Sequence, residues 1–524
     1  MFHCRKIIYF GFVLIVLTSC KEMSNKKATT MSSIADTYYR EEYRPQFHFS
    51  PEEKWMNDPN GLVYHQGVYH LFYQYYPDDI VWGPMHWGHA VSKDMMHWEH
   101  KPIALYPDKH GYIFSGSAVV DTNNTSGLGT KENPALVAIF TYHLMEGETA
   151  GRVDYQTQGI AFSLDNGDTW EVYKNNPVIP NTTGIKDFRD PKVFWNEQTN
   201  EWTMLLVAGD HLQIWSSPNL INWTSESEFG KNQGAHGGVW ECPDLFKLPV
   251  EGGVGEKWVL FISINPGAPN GGSGTQYFIG DFDGKTFTSD QEENKWVDWG
   301  TDNYAGVTYN NTPNDERLFI GWMSNWEYAR DTPTKTWRSA MTLPRTLGLK
   351  KYNETISLYS KPIAAVTSLA TSKLKESNVL VPAGNPVAFE NENYNASEVY
   401  FTAIGDDFLV AFENAVGDSL TLHFDRQKDV FTLNRSASGR VDFQKSFAND
   451  QQMPMTDLVG EALDVRIFMD WSSIEVFING GQHTLTAQVF PNEFYTTMKF
   501  ENKENEKMEI KSLQVNAVKH VWRK

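Results

Sequence analysis

The chain has 524 residues, 40% of them hydrophobic and 21% charged, enough for substantial cores and more than one domain. Its formal net charge of −20 argues against a nucleic-acid partner, because phosphate backbones are met by basic surfaces. Aromatics make up 14%, with 18 Trp and 23 Tyr, rings that suit both β-rich cores and stacking on apolar sugar faces.

At the N-terminus, Arg5 and Lys6 precede the apolar run Ile7 to Leu17. That run is too short to span a bilayer but has the size of a secretory signal core. It ends in Leu17-Thr-Ser-Cys20, which resembles a bacterial lipobox with Cys20 as the lipidated residue. Residues 1–20 are therefore expected to be a lipoprotein signal peptide and 21–40 a polar tether. The protein is expected in the bacterial cell envelope, held to the outer membrane by its lipid alone, on the surface or periplasmic face. Cys4 lies in the removed segment, so Cys242 has no partner for an internal disulfide.

From residue 41 onward the chain reads as β. Gly61 to Gln74 is a hairpin about the His65-Gln-Gly67 turn. Short aromatic and β-branched runs follow at 115–121, 134–142, 158–163, 192–195, 202–208, 258–264, 276–282 and 318–322. No long amphipathic helix interrupts them. Three turn units recur after such runs, Ser92 to Trp98, Ser163 to Trp170 and Ser217 to Trp223, each a Ser, an Asp or Asn turn and a Trp. Many short strands at this spacing mean a sandwich, a barrel or a propeller; about 300 residues is too long for one sandwich, and the loose repetition fits a β-propeller, which with blades of roughly 60 residues would have five over 41–355. A connecting region is expected over 356–392. Alternation returns in 393–524, which predicts a separate β-sandwich without catalytic carboxylates.

Three carboxylates stand in unusual settings. Asp58 lies in Trp55-Met-Asn-Asp-Pro-Asn-Gly61, Asp190 in Phe188-Arg-Asp-Pro191, and Glu241 in Trp240-Glu-Cys-Pro-Asp-Leu-Phe246. Both aspartates precede Pro, which forces extended backbone and fixes the side-chain direction. Taken singly, Asp-Pro is mostly a turn former. Their spacing, about two blades and then about one, lets all three converge on the axis of a propeller. Glycoside hydrolysis needs such convergence, a carboxylate and a carboxylic acid flanking one bond. His86, His89 and His97 form no recognisable ligand set, so neither a metal nor a cofactor is expected.

Together these motifs resemble glycoside hydrolase family 32, the invertase, inulinase and levanase group. The resemblance extends through Tyr43 to Ser50, Phe114 to Ser117, Trp322 to Trp326, Trp337 to Arg345 and Asp470 to Phe477. It implies a five-bladed propeller and a sandwich, with a fructan or fructose-containing oligosaccharide as partner. It further implies Asp58 as nucleophile, Glu241 as acid/base, and Asp190 with Arg189 as holders of fructosyl hydroxyls. Asn57, Gln74, Trp82, Phe114, Ser115 and Trp326 match substrate-pocket positions, with Trp322 close enough to compete for the last. Cys242 is placed to tune Glu241, and Trp471 departs from the Arg more usual there. An inverting glycosidase, a fructosyltransferase and a surface glycan-binding lipoprotein are the competing readings. Linkage preference and exo or endo action stay open, with exo favoured.

Overall fold

The computed structural model describes residues 37–352, 355–458, 460–504 and 507–523. The signal segment, Cys20 and most of the tether lie outside these residues. Among them the fold is β nearly throughout, with helices limited to short turns such as Met145–Thr149 and Ala364–Ser368.

Five mainly antiparallel blades form the first domain, the fourth and fifth joined into one ten-stranded sheet where Val250 and Glu251 pair in parallel with Leu349 and Lys350. Their innermost strands are Lys54–His65, Tyr112–Val120, Phe188–Asn196, Val239–Glu251 and Tyr304–Thr308. Each inner strand packs beside the next, and the fifth returns to the first. The ring is stapled where Val63 bridges Asn310: Tyr64 N donates to Asn310 O at 3.0 Å and Asn310 N to Leu62 O at 2.9 Å. This is the expected five-bladed propeller. Blades are covered on both faces by their neighbours, so second strands such as Leu136–His143 are buried at every position and show no alternation.

The three Ser-to-Trp units connect the third and fourth strands of the first three blades. The Trp98, Trp170 and Trp223 indoles donate to the carbonyls of Met95, Gly167 and Leu220 at 2.9, 3.2 and 3.0 Å. The serine hydroxyls accept from backbone N–H groups inside each turn, as Ser92 Oγ does from Met95 N at 2.8 Å. The repeat is thus a turn that closes a blade.

The second domain packs two six-stranded sheets around one apolar core that includes Phe401, Phe412, Ile467 and Phe500. The 356–392 stretch differs from the expected connector. Thr355–Pro362 is the last propeller strand, Ala370–Val381 is an edge strand of the sandwich paired with Met508–Val518, and Val387–Glu390 pairs with Thr497–Asn502. Ala370–Val381 is exposed along most of its length, so it lacks the alternation that marks a half-buried strand.

The domains meet across a buried ionic network. His48 donates through Nδ1 to Asp470 Oδ2 and through Nε2 to Glu475 Oε1, both at 2.8 Å. Arg345 then joins Glu475 at 2.5 Å to Asp298 at 2.9 Å. Asp470 also accepts the backbone N–H groups of Gln46, Phe47 and His48. Two segments singled out in the sequence, Tyr43 to Ser50 and Asp470 to Phe477, therefore meet here and fix the propeller's entry against the sandwich.

Candidate active site

A single device repeats at one end of the propeller. In every blade the inner strand holds one extra residue against its partner: between Met56 and Pro59, Ile113 and Gly116, Arg189 and Lys192, Glu241 and Asp244, and Tyr304 and Val307. A bulge leaves residues out of the ladder and re-aims their side chains. The five bulges together present Asn57, Asp58, Phe114, Ser115, Arg189, Asp190, Glu241, Cys242 and Tyr304. Three bulge residues at the same step, Asp190, Cys242 and Ala305, hold φ of 62°, 45° and 52°; Asp190, expected to be extended because it precedes Pro191, is left-handed instead, since the bulge overrides that preference. That left-handed backbone costs on the order of 1 kcal/mol or more per residue, which the closed ring sustains.

The bulges converge on a cavity of about 360 Å³ lined by Asn57, Asp58, Gln74, Trp82, Phe114, Ser115, Arg189, Asp190, Glu241 and Trp326, with Asn265 and Arg330. All ten positions anticipated for chemistry and binding therefore share one site. Trp322 is fully buried beneath it, so the tryptophan that reaches the cavity is Trp326. Trp326 stacks on Trp55 at 5.9 Å between centroids.

Asp58 accepts from Ser115 Oγ at 2.7 Å and from Asn57 Nδ2 at 3.1 Å. Asn57 is itself oriented by the Trp55 indole at 2.7 Å. Gln74 ties the first blade to the second, donating to Asn60 Oδ1 at 2.7 Å and to Ile113 O at 3.0 Å. Glu241 is gripped from both sides, by Arg189 Nη2 at 2.9 Å on Oε1 and by the Tyr304 hydroxyl on Oε2. Asp190 accepts the Cys242 N–H at 3.0 Å, and its own N–H donates to Thr141 Oγ1 at 3.0 Å. The Cys242 thiol lies 3.7 Å from both Asp58 Oδ2 and Asp190 Oδ2, so those carboxylates are within twice that distance of each other. Cys242 was expected to act on Glu241; its thiol and backbone contacts go to the two aspartates instead.

Three carboxyls share this space with Arg189. Burial raises the Asp58 carboxyl above its ordinary range, against the hydrogen bonds from Ser115 and Asn57 that favour its charge. Burial also raises Asp190, to about 7, with Arg189 opposing and the Glu241 and Asp58 charges adding. Glu241 is raised by burial and by Asp58, while Arg189 and the Tyr304 hydroxyl pull it down. Burial lifts the Cys242 thiol far above its usual range, which keeps it a neutral thiol. All three carboxyls are thus pushed toward their protonated forms, which favours the coexistence of a carboxylate and a carboxylic acid in one site.

Sequence reasoning missed Tyr304, Asn265, Arg330 and Asp187. Asp187 sits at φ 58°, 3.7 Å from Arg189 Nη1, and accepts from Tyr155 OH at 3.2 Å. None of the four stands in a motif that signals chemistry locally. Only the alignment of the fifth bulge with the other four identifies Tyr304.

A closed propeller with paired carboxyls at one mouth defines a carbohydrate-cleaving enzyme of the glycoside hydrolase class. Residues 48–362 match the Glycosyl hydrolases family 32 N-terminal domain, and 371–517 match the Glycosyl hydrolases family 32 C-terminal domain. The chain belongs to glycoside hydrolase family 32. It is 45% identical over 513 residues to a levanase of Bacillus subtilis (strain 168), spanning 94% of this chain and 73% of that one. It is 41% identical over 510 residues to an extracellular exo-inulinase of Aspergillus ficuum, spanning 89% and 94%. The crystal structure of exo-inulinase from Aspergillus awamori superposes with a TM-score of 0.85 at 38% identity, covering 92% of this chain and all of that one.

Proposed function

We propose that the protein is an exo-acting, retaining β-fructosidase that releases terminal fructosyl units from levan- or inulin-type fructans and from sucrose-like sugars. Asp58 attacks C2 of the terminal unit while protonated Glu241 gives its proton to the leaving oxygen, forming a fructosyl ester on Asp58. Glu241, now a carboxylate, takes a proton from water as that water attacks C2, and fructose leaves with its configuration retained. Asp190 and Arg189 hold fructosyl hydroxyls, and Arg189 also holds Glu241 in place. The neutral Cys242 thiol lets Asp58 and Asp190 approach without a further charge between them.

The observation that carries this reading is the gathering of all ten anticipated residues around one small cavity with two separately anchored carboxyls, Asp58 and Glu241. The cavity's modest volume and the buried residues at its base favour a chain end over a chain interior. The levanase and exo-inulinase relatives support the choice of substrate. Product analysis on sucrose, inulin and levan tests it, with Asp58→Asn as the inactive control. Fructose as the sole early product from the polymers is expected. Early short oligomers would mean endo-cleavage, lengthened products transfer, and no turnover a binding role. Attachment to the envelope through Cys20 is proposed from the sequence alone; Cys20→Ala should release the enzyme from membranes, and unchanged fractionation would refute it.

A further inference from the structure

The cavity is graded in exposure. Asn57, Gln74, Ser115 and Asp190 at its base are buried, Trp82 and Trp326 are half-buried, and Arg330 is exposed. If the base holds the fructosyl unit being transferred, as proposed above, the wall residues above it meet whatever is attached to that unit.

Arg330 stands between two indoles from opposite sides of the ring closure. Its guanidinium carbon is 6.0 Å from the centroid of Trp82, in the first blade, and 5.9 Å from that of Trp326, in the fifth. These are outer-range cation–π distances, so the guanidinium is steered by the rings without being fixed by them. Its backbone is held: Ala329 N and Tyr328 N donate to Asn325 O at 2.8 and 3.1 Å, and Arg338 donates to the Arg330 carbonyl. Among the described residues no carboxylate pairs with the Arg330 guanidinium. Its donors are thus unspent, on an anchored turn, at the mouth of a cavity that accepts a sugar. Arginine carries five N–H donors and no acceptor, which suits sugar hydroxyl oxygens, while the indoles offer faces for a sugar ring.

We propose that Arg330 is a specificity-determining residue for the leaving group, donating hydrogen bonds to the first sugar beyond the scissile bond while Trp82 and Trp326 flank it. The assignment rests on the fructosidase reading of the base. It predicts a selective loss. In Arg330→Ala, kcat/KM for a short fructo-oligosaccharide should fall about tenfold, the scale of one charge-assisted hydrogen bond, chiefly through KM. The loss for p-nitrophenyl fructofuranoside, whose leaving group has no sugar hydroxyls, should be at least about fivefold smaller. Inhibition by fructose, a probe of the base, should stay within about twofold, and Arg330→Lys should recover part of the oligosaccharide KM. Equal losses on both donors, a matching rise in the fructose inhibition constant, or no loss on the oligosaccharide would overturn the proposal. Wild-type turnover of both donors is the separate control: its absence would sink the fructosidase reading itself.

Discussion

Asp190→Asn should make the protein more stable at pH 8 and leave it little changed at pH 4, while abolishing useful activity. Asp190 is only 6% exposed, and its carboxyl is pushed from 3.8 up to about 7 by burial and by neighbouring carboxylates, against the pull of Arg189. Below the unfolded value both states are protonated and the group is neutral to folding. As pH rises from about 4 to 7 the unfolded chain ionises first, so stability falls through that window and levels off above it. A rise of roughly three units corresponds to about 4 kcal/mol at 1.36 kcal/mol per unit. Asparagine removes the charge and keeps an oxygen for the Cys242 N–H. Urea unfolding of wild type and variant between pH 4 and 8 reads the effect, because ionisable groups outside the cluster cancel in the difference, while Glu241, Asp58 and Arg189, whose charges act on Asp190, respond together with it. The variant's advantage should grow with pH up to a few kcal/mol. A difference independent of pH, or a wild type more stable at pH 8, would mean that Arg189 outweighs burial.

Glu241→Gln should cost about 10² to 10⁴ in kcat on sugar leaving groups and far less on p-nitrophenyl fructofuranoside, whose departure needs little protonation; equal losses would remove Glu241 from the acid role. Tyr304→Phe takes a donor from the Glu241 carboxylate, so the Glu241 carboxyl rises further and the alkaline limb of the kcat/KM profile moves to higher pH. Movement to lower pH would contradict that assignment. His48 is buried; burial works against its charge, but Asp470 and Glu475 raise it to about 9. Its contribution to stability is full below pH 6.5 and disappears as pH rises through 9, so His48→Gln should flatten the loss of wild-type stability over that range. Arg345→Met leaves Glu475 and Asp298 short of a buried partner and should destabilise by about 3–5 kcal/mol, measured by urea unfolding.

What the sequence alone determined was local chemistry. The Asn-Asp-Pro, Arg-Asp-Pro and Glu-Cys-Pro strings are legible because a bulge must be built from the residues it contains, and the Ser-to-Trp turns because their hydrogen bonds close within a few positions. Even the meeting of Asp58, Asp190 and Glu241 followed once a radial fold was inferred, since equivalent points on successive blades face one axis. Tertiary structure alone decided what neighbours across the ring supply. Tyr304 reaches Glu241 only because the fifth inner strand lies beside the fourth, and Arg330 reaches Trp82 only because the fifth blade closes on the first. The edge strand Ala370–Val381 passed for a connector because its partner, Met508–Val518, lies at the far end of the chain and its exposed residues carry no alternation. The physical division is one of range: short-range constraints write themselves into adjacent residues, whereas pairings made by ring closure, such as Tyr304 with Glu241 and Arg330 with Trp82, leave no mark on either partner's own segment.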